Sequence, residues 1–543
     1  MAHEPANAPD RLAGWRATLA LVGGVTIARF AALLWVCTIP LIEDEAFYWE
    51  WSLRPALSYY TKGPGIAWLI RSTTELFGTS EFGVRAAAPI CGAIVALCVA
   101  RMAAIAGGQR AGFLAAVCVL CAPMLQASSM LMTIDGPYAA CWALAALAAC
   151  SALLREGKAA WIAMGLALGV GFLFKYTIVA LPISLVIFAI WRRADLRLAP
   201  RWRLWAVLGL AAAALGTLPV VVWNIREGWP TIAHLLGHLG VQGGDMPVTQ
   251  GSGGWRYSPL WTLVYMLGPI GMIGPAVIVG AFGAARAARG LGDPATLPLR
   301  RLLACACATL FAFYLVVSFI TEPEGNWSLA AFITALALAG VELATGLDRL
   351  RQRIAAWRCL PEPRPWQGWF LRRPQSPALA AWWATLAIGI AAGVALPLAD
   401  RLATLLPSVI PAARLSGIRA MAHDADAQIA KLSEAGAKPF LLAMHYGRAA
   451  QLRFYMQDRP LVYCSGRTLG HGRVTQYDFW SDTNLRDPSL IERPALVVGG
   501  TRESWTPFFD DVGEPFTLDG DLKKGRPAMV CRGYRGIPTE PAP

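Results

Sequence analysis

The sequence predicts a polytopic, all-α membrane domain of about eleven transmembrane helices followed by a soluble α/β domain, and three observations carry that reading. Of the 543 residues, 56% are hydrophobic and only 15% charged, against about 45–50% and about 25% in soluble domains. The apolar residues gather into runs of about 18–25 residues, each long enough to cross a hydrocarbon core of about 30 Å as a helix. After Leu398 the composition turns soluble, with acidic, basic and turn residues among short apolar runs. The expected domains are therefore 1–397, which includes a first external loop at 41–82, and 398–543.

The first run, 18–40, is too long for the apolar part of a signal peptide and has no small-residue cleavage site before Glu43-Asp44-Glu45, so it is expected to stay as the first helix. Further spans are expected at 83–105, 111–130, 134–154, 159–174, 177–191, 204–223, 258–284, 302–320, 327–347 and 378–397. In the soluble part, 440–444, 460–463 and 495–498 read as strands and 448–456 as a helix, with no Gly-rich phosphate loop before them.

Charge orients this array. Arg110, Arg155 with Lys158, the Arg192–Arg203 cluster, Arg286 to Arg301, and Arg349 to Arg373 fall in alternate loops. Basic loops stay on the cytoplasmic side. The N-terminus is then cytoplasmic, whereas 41–82, 128–133, 225–257, 321–326 and everything after about residue 400 lie outside. The expected location is the inner (plasma) membrane with a periplasmic C-terminal domain. The net charge of +13 is explained by orientation, and no nucleic-acid partner is expected.

Nine of the twelve cysteines lie inside apolar runs without metal-ligand spacing, and His445 and His471 have no metal-like partner, so neither metal nor cofactor is expected. Cys464 and Cys531 share the external domain, where a disulfide is permitted.

The external side holds a dense polar and aromatic segment, from Glu43-Asp44-Glu45 through Phe47-Tyr48-Trp49-Glu50-Trp51 to Tyr59-Tyr60-Thr61-Lys62-Gly63-Pro64. Aromatic residues also gather at bilayer interfaces for anchoring alone. A second acidic site, Asp135 in Asp135-Gly136-Pro137, falls on the same membrane face, where a turn-capping role is the simpler alternative. Arg29 lies within the first span, where an isolated charge costs about 2.5–3.5 kcal/mol, so it should face a polar cavity or a carboxylate. Gly165 and Gly169, four apart, read as close helix packing.

The order of these motifs resembles the GT-C membrane glycosyltransferases that use polyprenyl-phosphate sugars, including protein O-mannosyltransferases and lipid A aminoarabinose transferases. The likeness runs through Phe82-Gly83-Val84-Arg85, Asp135-Gly136-Pro137, Phe174-Lys175-Tyr176 and Glu322-Pro323-Glu324-Gly325-Asn326-Trp327, over most of 20–345. It implies an inverting transfer in which an acceptor hydroxyl attacks the anomeric carbon of a lipid-phosphate-linked sugar while a carboxylate takes its proton. By position in the Asp-Glu pair, Asp44 is the base the resemblance implies. Glu45, which orients Asp44 or binds acceptor, and Asp135 complete the candidate catalytic carboxylates.

Lys62 matches a position near the donor phosphate, where a cation offsets the leaving-group charge. Tyr59, Tyr60, Arg85, Lys175, Glu324 and Asn326 join it as candidate substrate-binding residues. Snorkelling to the interface is the alternative for Lys175, head-group anchoring for Arg85, and a solvated turn for Glu324 and Asn326. The implied partners are a polyprenyl-phosphate-sugar donor, undecaprenyl phosphate in a bacterium, and an envelope glycolipid, glycan or protein acceptor. His445-Tyr446-Gly447-Arg448 and Gln476-Tyr477-Asp478-Phe479-Trp480 are the notable clusters of the soluble domain and receive no catalytic role.

The alternative from another class is a transporter or lipid flippase, which requires charges along a midplane path and repeated helix groups. No internal repeat is visible, and the acidic and aromatic residues concentrate on one face. A scaffold anchored by its membrane part would not need eleven spans.

Overall fold

The computed structural model describes residues 14–238, 257–358, 377–405, 417–434, 436–466, 474–520 and 527–537. His471, positions 239–256 of the expected external segment and the basic stretch 359–373 lie outside the described residues. The chain packs as two compact units: 1–35, 85–222 and 254–396 form one, and 36–84, 223–253 and 397–543 form the other.

The first unit is helical. Among the described residues, seven helices are long and apolar enough to cross a membrane: Trp15–Trp35, Glu81–Gly107, Asp135–Leu154, Trp202–Glu227, Leu297–Val317, Leu329–Ala356 and Pro377–Ala403. Gln109–Cys121, Lys158–Phe172 and Tyr176–Trp191 are shorter apolar helices. The remaining expected span, 258–284, is broken: Pro259–Met272 and Ala276–Ala288 meet at 111°. Gly274 adopts φ +95° at the break, a conformation that suits a residue without Cβ, and Pro275 follows it. The Ala276 amide, freed by the break, donates to Thr385 Oγ1 at 2.9 Å. All eleven expected spans are therefore helical, and the protein is a multi-pass membrane protein.

Burial sorts these helices. Leu329–Arg358 is the most deeply enclosed and is lined by small residues, with Ala330, Ala331, Ala335, Ala337 and Ala339 all buried. Trp15–Trp35, Trp202–Glu227 and Pro377–Ala395 instead expose Ile27, Leu210 and Val394, as peripheral helices in lipid do. Small residues also set the closest approach. A Cβ on Gly165 would stand 1.9 Å from the Gly209 carbonyl oxygen, and one on Gly216 would stand 2.5 Å from Gly169. The Gly165/Gly169 step thus packs Lys158–Phe172 directly on Trp202–Glu227.

The second unit contains a five-stranded sheet, with β1 Phe440–Ala443, β2 Val462–Cys464, β3 Ala495–Val498, β4 Phe509–Val512 and β5 Ala528–Tyr534 in the order β2-β1-β3-β5-β4. β1 pairs in parallel with β2 and β3, whereas β5 runs antiparallel to β3 and β4. Every residue of β1, β2 and β3 is buried, which explains why these three read as continuous apolar runs. The expected 448–456 helix is Tyr446–Tyr455, between β1 and β2. β4 has an exposed Asp510-Asp511 centre and belongs to the part the sequence left unassigned.

Cys464 lies on β2 and Cys531 on β5, and both are free thiols. Two strands separate theirs, so at about 4.8 Å per strand the cysteines stand about 14 Å apart, beyond disulfide reach. Burial pushes both thiols up to about 12.

Replacing Gly165 by Leu forces the Gly165–Gly209 contact apart, an overpacking cost of about 1–3 kcal/mol. A thermal midpoint several degrees below wild type is expected for the purified Gly165→Leu protein. Gly23→Leu, at a position with open space around it, is expected to melt as wild type does.

Candidate functional site

Each compact unit holds a cluster of the residues singled out above. In the helical unit the cluster centres on Asp135, the first residue of Asp135–Leu154. Asp135 is buried, and its two oxygens go to different parts of the chain: Oδ1 accepts from Lys175 Nζ at 2.9 Å, and Oδ2 accepts from Asn326 Nδ2 at 2.8 Å. The carboxylate therefore joins three segments rather than capping its own helix.

Lys175 sits between Lys158–Phe172 and the 3-10 turn Tyr176–Val179, and it is buried. It turns inward to Asp135 and over the Tyr138 ring, 5.5 Å from the centroid, so it does not snorkel to the interface. Tyr138, one turn after Asp135, receives a hydrogen bond from Thr177 Oγ1 at 3.1 Å. Asn326 is half-buried in the turn before Leu329–Arg358, next to Trp327, whose ring lies 5.7 Å from Tyr314. Glu324 is exposed in the same turn and adds negative potential at Lys175.

Arg85 is fully buried at the end of the short helix Glu81–Arg85. Arg29 faces a cavity of about 10 Å³ with Ser128, Ser129 and Gly136, a space about large enough for one water. Val95, Val119, Leu125 and Ala139 line most of the rest of that cavity, so this arginine meets a largely apolar space with two serines.

The second unit carries the acidic and aromatic segment. Helix Glu43–Ser52 opens with three acidic residues, which suit the positive end of its dipole. Asp44 is exposed in that first turn. Glu45 is fully buried, and its Oε2 accepts from the Ile42 amide at 3.1 Å, closing the helix start. Glu50 is fully buried as well; its Oε1 accepts from Arg453 Nη1 at 2.7 Å, and its Oε2 accepts from the Tyr477 hydroxyl. Burial and the adjacent Glu50 carboxylate push the Tyr477 phenol well above its ordinary range.

Tyr59 stacks on Trp51 at 4.4 Å and donates its hydroxyl to the Trp51 carbonyl at 2.9 Å, with burial holding the phenol protonated. Tyr60 is buried between Phe479 at 5.0 Å and His234 at 5.3 Å, and its amide donates to Gln476 Oε1 at 2.7 Å. Lys62 is half-buried, and its carbonyl accepts from the Tyr59 amide at 3.1 Å, closing a tight turn.

The structure thus brings Asp135, Lys175 and Asn326 into direct contact in one unit; Asp44, Glu45, Tyr59, Tyr60 and Lys62 belong to the other, where Tyr59 and Lys62 close one turn and Glu45 closes the start of the Asp44 helix. Sequence reasoning assigned no role to Tyr138, Glu50, Arg453 or Tyr477. Glu50 and Tyr477 stand inside the motifs named above and Tyr138 directly follows one, but Arg453 carries no local signal at all, because its partner is 403 residues away.

The comparisons agree with this architecture. ArnT from Cupriavidus metallidurans bound to undecaprenyl phosphate superposes with a TM-score of 0.61 at 15% identity, over 95% of this chain and 98% of that one. The fold is that of the GT-C membrane glycosyltransferases. The apo Archaeoglobus fulgidus oligosaccharyltransferase also shares it, with a TM-score of 0.52 at 14% identity, over 82% of this chain and 64% of that one. Residues 61–223 match the dolichyl-phosphate-mannose-protein mannosyltransferase family. The lipid A galacturonosyltransferase RgtD of Rhizobium johnstonii is 26% identical over 331 residues, which span 60% of this chain and 65% of that relative.

Removing one member of a buried ion pair leaves the other charge without compensation, at about 3–5 kcal/mol. Asp135→Ala and Lys175→Ala are each expected to lower stability toward denaturant by that order. The double substitution should cost clearly less than their sum; strict additivity in this cycle would show that the pair does not act as a unit.

Proposed function

We propose that this protein is an inverting glycosyltransferase that moves a sugar from a polyprenyl-phosphate donor to an envelope acceptor, with Asp44 as general base. The observation that carries the reading is the contrast within helix Glu43–Ser52. Glu45 and Glu50 are buried and bound to their own fold, whereas Asp44 is the exposed carboxylate of the same helix. A carboxylate in contact with solvent is within reach of an arriving acceptor hydroxyl, the group whose proton a general base takes. The GT-C fold, shared with an ArnT bound to undecaprenyl phosphate, supports a polyprenyl-phosphate donor. The likeness to a lipid A galacturonosyltransferase supports lipid A or a related glycolipid as acceptor.

In the proposed reaction the acceptor oxygen forms a bond to the anomeric carbon as the carbon–oxygen bond to phosphate breaks. The acceptor proton goes to Asp44, and the lipid phosphate leaves with the bonding electron pair. Lys62, with Arg85 and Lys175, is assigned to the donor phosphate, where fixed cations lower the barrier to departure. In this reading Asp135 and Asn326 hold Lys175 in place, Glu45 holds the start of the Asp44 helix, Glu324 contacts substrate from the neighbouring turn, and Tyr59 and Tyr60 shape the loop that carries Lys62. The protein is assigned to the inner membrane, with its N-terminus cytoplasmic and its C-terminal domain periplasmic.

The test is mass spectrometry of envelope glycolipids and exported proteins from a host lacking this gene, complemented with wild type or Asp44→Asn. A sugar-sized mass difference restored by wild type and not by equally expressed Asp44→Asn is the expected result. Turnover of the Asp44→Asn protein at the wild-type rate would remove the proposed base. Lys62→Ala is expected to raise the donor concentration needed for half-maximal rate more than the acceptor concentration.

A further inference from the structure

We infer that Glu50, Arg453 and Tyr477 are positioning residues for Asp44, and that the C-terminal domain holds the Asp44 helix in its working orientation. The inference rests on the reading of Asp44 as base. Glu43–Ser52 has only ten residues, too short to persist alone in water, so its direction must be fixed by what it touches.

Glu50 supplies the strongest fixed point. It lies six residues after Asp44 and is fully buried, in an environment where an unmatched carboxylate costs several kcal/mol. Its match comes from the C-terminal domain: Arg453 Nη1 at 2.7 Å, from helix Tyr446–Tyr455, and the Tyr477 hydroxyl, from the 3-10 turn Gln476–Asp478. Arg54, one turn after Glu50, adds a third donor at 3.4 Å. Arg54 also reaches Asp482 at 2.7 Å and lies 4.1 Å over the Trp480 ring.

Packing grips the rest of the same helix. Phe47 stacks on Tyr477 at 5.7 Å and meets Tyr446 at 4.6 Å, while Trp49 sets its edge against Phe454 at 4.8 Å. At the helix start, a Cβ on Gly447 would fall 2.5 Å from Cβ of Glu43, the residue before Asp44. The 475–480 turn binds the following segment too, through Gln476 to the Tyr60 amide and Phe479 to the Tyr60 ring. Both soluble-domain motifs singled out in the sequence therefore bear on the first external loop.

A base displaced by about 1 Å loses about 100-fold in rate. Expected transfer rates for Glu50→Gln and Tyr477→Phe are therefore about 10–100-fold below wild type, read as accumulation of the sugar-bearing species in the complemented strain at matched protein level. Arg453→Lys, which keeps a cation at Glu50, should stay within about threefold of wild type, whereas Arg453→Met should fall with the others. The affinity of each purified full-length variant for undecaprenyl phosphate should change less than about threefold, because the base is not a donor-binding group.

Wild-type transfer by Glu50→Gln and Tyr477→Phe beside an inactive Asp44→Asn overturns the positioning role and leaves the base assignment standing. Wild-type transfer by Asp44→Asn overturns the base, and the inference with it. Loss of undecaprenyl-phosphate binding and of folded protein in Tyr477→Phe, the mildest change, would mean that the cluster supports the fold alone.

Discussion

Charge buried in an apolar interior has to be matched by donors of fixed geometry, and in this protein two buried carboxylates, Asp135 and Glu50, decide which segments come together. Asp135 uses one oxygen for Lys175, 40 residues on, and the other for Asn326, 191 residues on. Glu50 draws its donors from 403 and 427 residues away. Each bond constrains a loop that would otherwise be free to follow its own turn chemistry.

Around Asp135 this matching operates inside a helix array held by close approach. Lipid offers no hydrophobic drive for one apolar helix to join another, so packing of small residues has to supply the association. The buried alanines of Leu329–Arg358 and the glycine contacts between Lys158–Phe172 and Trp202–Glu227 do so. A rigid array of this kind keeps the start of Asp135–Leu154 close enough to the turns at Lys175 and Asn326 for a single carboxylate to join them.

In the second unit, helix Glu43–Ser52 divides its carboxylates between structure and solvent. Glu45 closes the helix start and Glu50 joins the C-terminal domain, and Asp44, one residue before Glu45, is exposed on the helix they fix. Rigid supports around a reactive group limit the freedom it loses during reaction. The five-stranded sheet places helix Tyr446–Tyr455 and the 475–480 turn where these supports are needed.

Length and hydropathy of the apolar runs were enough to determine the helical class and to place a helix at each expected run, seven of them long enough to cross a membrane among the described residues, because a membrane helix satisfies its own backbone and needs about 20 apolar residues to cross. Alternation of buried runs and turns likewise marked β1, β2 and β3. The 111° break at Gly274-Pro275 was not legible, since a Gly-Pro step is compatible with a kink, a break or a loop. The sequence also marked Asp44, Asp135, Lys175 and Asn326 as chemically notable, but it left capping and snorkelling open for two of them. Only the tertiary structure decided that Asp135 binds Lys175 and Asn326, that Tyr59 is enclosed by Trp51, and that Arg453 and Tyr477 belong with Glu50. Those choices depend on side chains that meet across hundreds of residues, and local periodicity carries no record of such distances.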